Sequence, residues 1–137
     1  MKALHPSQLE AGTVVYVRVQ VGVISVRHVG LVTDRRDANG LPTVISASKR
    51  RGYTHEESWN QFTEGTRATI VPMPAGVSPA EMLRRARADI GTRWDLVSAN
   101  CEHAVARWRG LPEESGQLRS SVAVFAVLGL IIAAARL

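Results

Sequence analysis

The chain has 137 residues, 45% hydrophobic and 21% charged, an ordinary globular composition sized for one domain. At that length about 68% of the unfolded surface can be buried, so a core forms without cross-links. The single cysteine excludes an internal disulfide framework and a multi-cysteine zinc site, and 17 basic against 12 acidic side chains leave +5, which favours an anionic partner, whether a membrane surface or nucleic acid.

Met1 to Glu10 has no apolar stretch after Lys2, so no secretory signal is expected and an intracellular location is inferred. Thr13 to Gln20, opened by Gly12, is β-branched and partly alternating, and reads as a strand. Ile24 to Thr33 reads as the next, followed by a polar turn whose Asn39-Gly40 is a hairpin signal. Thr43 to Ser48 returns, Lys49-Arg50-Arg51-Gly52 forms a basic loop, and Arg67 to Met73 supplies a further strand. The period then changes. Ser78-Pro79-Ala80-Glu81 has the form of a capping box with proline at the first helical position. Behind it Met82, Leu83, Ala86 and Ile90 share one helical face, and Gly91 ends the helix. A second helix is expected from Asn100 to Gly110, with Cys101, Ala104, Val105 and Trp108 at i, i+3, i+4 and i+7. Strands first and helices after predict an α+β fold in which an antiparallel sheet packs on helices.

The C-terminus is different in character. Ser120 to Ala135 carries no charge and is bracketed by Arg119 and Arg136. As a helix it would span roughly 24 Å, slightly short of the ~30 Å hydrocarbon core. Val122 to Ala135 has no polar stripe, so residues 119–137 are read as an apolar C-terminal helix that seeks a membrane, against residues 1–118 as the folded domain.

Cys101 is the one candidate nucleophile of thiol type. At a helix start, free backbone N–H groups and the helix dipole favour a thiolate, and the same groups can bind an oxyanion. Such a sulfur needs a base. His103 points about 200° around the helix from Cys101, His5 lies in the terminus and His55 in a polar stretch with Glu56 and Glu57. His28 alternates with Val26, Gly30 and Val32, so it faces inward, and Gly30 leaves room for a helix end. Ser46 and Ser48, on the face of Val44, are the candidates for a third group holding the imidazole.

Asn100-Cys101-Glu102-His103 before an apolar-faced helix resembles the Asn-Cys-Glu-His signature of the lecithin:retinol acyltransferase-like proteins. Arg27-His28-Val29-Gly30-Leu31-Val32 resembles that family's histidine strand, and Leu9 to Val14 its first strand with the preceding glycine. Ser115-Gly116-Gln117 and the apolar tail occupy the place of its C-terminal extension, a membrane anchor in several members. The resemblance, over roughly Leu9 to Leu118, implies a circularly permuted papain-like topology. It implies a thiol-dependent acyltransferase or hydrolase forming an acyl-cysteine, with Cys101 as nucleophile, His28 as base and Asn100 as helix cap or oxyanion donor. The family's third member is often a histidine after Val-Ile; here Val44-Ile45 precedes Ser46, which takes that role. Ala104 stands where an aromatic residue usually follows Glu-His. The implied partner is an acyl lipid or other acyl donor at an anionic membrane surface, with no cofactor and no metal. Cutting amide bonds in a peptide or cell-wall substrate is the alternative chemistry, and a binding module with a decayed triad the alternative class. Aromatics at 5% and the lack of a recognition motif argue against nucleic acid.

Overall fold

A computed structural model describes residues 5–72, 76–94 and 101–110. The chain folds as α+β around a five-stranded antiparallel sheet. Its strands are β1 (Val14–Val21), β2 (Ile24–Arg36), β3 (Pro42–Ser48), β4 (Tyr53–Ser58) and β5 (Thr69–Ile70), in the order β4-β3-β2-β1-β5. The helices are α1 (Trp59–Thr63), α2 (Pro79–Ala88) and α3 (Cys101–Trp108).

β1 and β2 form a long hairpin through the two-residue Gly22-Val23 turn, pairing Val14 with Leu31 and Val21 with Ile24. Gly22 has φ +62°, the left-handed value that a II′ turn requires at its first central residue. The β2–β3 connection turns at Asp37, whose side chain accepts from the backbone N–H of Asn39 and of Leu41. The expected strands are present, with β2 running on to Arg36 and β5 reduced to two residues. β4 and α1 were not expected. They follow from the Lys49–Gly52 loop, which is a tight turn that returns the chain along β3.

Both faces of the sheet are buried, and alternation divides each strand between them. Val14, Val29, Leu31, Ile45 and Ala47 pack against Met82, Leu83 and Ala86 of α2 and against Ala104, Val105 and Trp108 of α3. Val15, Val17, Val32 and Val44 pack on the opposite side, under Trp59 and Phe62 of α1. Ser78 caps α2 by accepting from the Glu81 N–H. The Glu81 carboxylate, expected to reach back to the cap, instead takes Arg84 and Arg85. Ile90 was expected on the buried face of this helix; α2 stops at Ala88 and Ile90 is 44% exposed. At the helix end, Asp89 Oδ2 accepts from Arg107 (Nη2 2.6 Å) and from Trp108 Nε1 (2.7 Å), tying α2 to α3. Among the described residues no helix is long and apolar enough to cross a membrane. The tail of residues 119–137 lies outside the described residues, as does Asn100.

Candidate active site

Cys101 is the first residue of α3 and half-buried at the rim of the α2–α3 core. Its Sγ lies 3.8 Å from the carbonyl oxygen of Arg27, the residue preceding His28 in β2. The helix start and the histidine strand therefore meet as the sequence reading expects. The helical stripe that places the sulfur there is the expected one too, with Ala104, Val105 and Trp108 buried behind it.

The imidazole lies elsewhere. His28 pairs with Val17 across the β1–β2 ladder, and directly paired residues share a face. Val17 belongs to the α1 side, and the His28 ring sits 5.1 Å from that of Phe62 in α1. Cys101 packs on the α2–α3 side. The described structure thus does not bring the thiol and the imidazole of His28 together, and the space at Gly30 explains why. A Cβ at Gly30 would lie 2.4 Å from Val44 Cγ1 and 2.9 Å from Phe62 Cε2. The gap expected to admit the cysteine helix is filled by Phe62.

Ser46 and Ser48 are both buried and share the His28 face, as the alternation from Val44 predicts. Neither holds the ring. Val32 pairs with Val44 and Leu31 with Ile45; continued along the strands, this register sets Ser46 against Gly30 and Ser48 against His28. Ser46 Oγ has no hydrogen-bond partner, whereas Ser48 Oγ accepts from the Arg51 N–H in the β3–β4 turn at 3.2 Å.

The direct partner of Ser46 on its other side is His55 of β4. His55 Nε2 stands 3.0 Å from Glu57 Oε2, near enough for an ion pair though without hydrogen-bond alignment. The sequence reading places His55 in a polar stretch, and Thr54 to Glu57, polar at every position, carries no strand period that would single it out. Burial pushes His28 down to about 4; the charges of His55 and Arg50 act in the same direction and the Glu57 carboxylate opposes them. At neutral pH the imidazole is therefore uncharged. Ala104, the departure from the family pattern, is fully buried in the α2–α3 core. No group of three metal-ligating side chains is found among the described residues. No family model matches the chain, and no curated protein matches it.

Proposed function

We propose that the protein is a thiol-dependent acyltransferase or hydrolase acting on an acyl lipid. The observation that carries this reading is the position of Cys101, partly accessible at the start of α3 and against the carbonyl of Arg27, within the Asn-Cys-Glu-His run that resembles the acyltransferase signature. The thiolate would add to an ester carbonyl, and the backbone amides of the helix start would take up the developing oxyanion charge. Collapse breaks the ester C–O bond. The thiol proton, taken by His28, passes to the leaving alkoxide, and water or an acceptor alcohol or amine then releases the acyl group from sulfur. Asn100 would cap the helix, and Ser46, which shares the α1 face of β3 with Val44, would stand outside a dyad formed on the sulfur's side. This role of His28 requires its ring on the sulfur's side of β2.

A second reading, a binding module that keeps the fold without the dyad, is favoured by one observation. The His28 ring lies against Phe62 on the face away from Cys101. Alkylation of Cys101 by iodoacetamide as a function of pH separates the two. For the enzyme, the rate should rise through an apparent pKa clearly below the unperturbed ~8.5, and His28→Asn should move it upward. Mass spectrometry after incubation with a short-chain phospholipid should then show an acyl adduct on Cys101. An ordinary profile, identical in both proteins, would reject the enzyme reading in favour of the binding module.

A further inference from the structure

We infer that the β1–β2 hairpin is a membrane-docking arm, whose apolar tip enters an anionic lipid surface while Arg18 and Arg27 engage the headgroups. This goes beyond the acyl-transfer reading and does not depend on it. From Val19 to Val26 the chain carries no charge, and five of these eight residues are Val or Ile. They form the outer half of the β1–β2 ladder, with Val19 paired to Val26 and Val21 to Ile24. At the apex Val23 is 94% exposed, and Val19 on the stem is 40% exposed. Val19, Val23, Ile24 and Val26 belong to neither core cluster of the described residues, and the arm ends in an exposed valine.

The charge at the base of the arm selects the occupant. Arg18 and Arg27 are directly opposed across the strands, which gathers two guanidinium groups at the base of the arm. Both guanidinium groups lie over the Tyr16 ring, at 5.8 and 4.9 Å from its centroid. They form a cationic collar behind the uncharged stretch. From this collar to the turn is four residues, roughly 13 Å of strand. That length carries the tip past the headgroups to the depth of about 5–10 Å typical of interfacial segments. An apolar tip behind a cationic collar complements a lipid surface, whereas a protein partner would demand no such sequence of layers. Cys101 touches the carbonyl of Arg27, so docking by this arm would also set the thiol close to the bilayer surface.

The test reports from the tip itself. In the full chain, Val23→Cys with Cys101→Ser gives a single thiol for an environment-sensitive nitrobenzoxadiazole label. Its emission should shift to the blue with vesicles of equimolar phosphatidylcholine and phosphatidylglycerol, and less with phosphatidylcholine alone. Arg18→Gln should weaken binding to the anionic vesicles about fivefold, the value of one basic side chain at such a surface. If the protein floats with vesicles while the label stays in water, binding runs through another segment and the inference fails. A blue shift that grows with protein concentration without vesicles would show a second copy covering the arm, and would overturn it equally. So would a shift of equal size on both vesicle types that Arg18→Gln leaves unchanged.

Discussion

Gly30 shows how one missing side chain decides which elements meet. Alternation along β2 correctly marks its position as inward, and a glycine there correctly signals a close approach. What approaches is Phe62, because β2 is buried on both faces and parity alone does not say which helix covers which. Gly30→Ala should therefore act on α1 and not on α3. The new methyl would press on Val44 and Phe62, and overpacking of this kind costs about 1–3 kcal/mol. Denaturant unfolding should show that loss, and Phe62→Ala in the same chain should relieve part of it. Additive effects of the two substitutions would mean that Phe62 does not occupy the space above Gly30.

The elements were legible where their period was long enough to show. α3 was readable from Cys101, Ala104, Val105 and Trp108, because eight residues complete two turns and repeat the stripe. α1 has five residues and shows no period, yet its start carries a signal. Ser58 accepts from the Gln61 N–H while Gln61 Oε1 accepts from the Ser58 N–H, a reciprocal capping box spelled Ser-Trp-Asn-Gln. β4 was hidden because His55, Glu56 and Glu57 place charge on both its faces. Glu56 looks to Arg35 and Thr43, and Glu57 to His55. The α2–α3 pair depends on an interaction that the apolar stripe does not reveal, the Asp89 carboxylate between Arg107 and Trp108. Asp89→Ala leaves the fully buried Trp108 without its indole acceptor, a loss of about 1–3 kcal/mol. Asp89→Asn, which keeps an acceptor oxygen, should lose less. Equal melting temperatures for the two variants would assign the effect to charge at the helix end instead.

At the scale of the molecule, strands followed by helices gave the α+β class and the antiparallel sheet. The distribution of polar groups between the two faces was not accessible, since it depends on which helix lies over each. One face is covered by the apolar surfaces of α2 and α3, while the other, on the side of α1, carries the half-buried His28 against Phe62 and the buried Ser46, Ser48 and Glu57. This asymmetry has a consequence for stability as pH changes. His28 titrates at about 4 when folded and at 6.5 when unfolded. Above pH 6.5 both states hold it neutral, and its contribution is fully present. As pH falls, the unfolded chain binds the proton first, so stability declines from 6.5 down to about 4. The total is on the order of 3 kcal/mol, of which about 2 kcal/mol is lost between pH 7 and 5. Asp34 is held low by its hydrogen bond to Arg87, and Glu81, down to about 2, by Arg84 and Arg85. Both contribute above their unfolded values of 3.8 and 4.5 and lose that contribution only as pH falls below them, so the interval from 6.5 to 5 belongs to His28. Urea unfolding at pH 7 and pH 5 should show the decline in the wild-type chain and a much flatter response in His28→Gln. A wild-type chain equally stable at both values would mean that the imidazole is not buried against Phe62. It would remove the argument for a ring held away from Cys101.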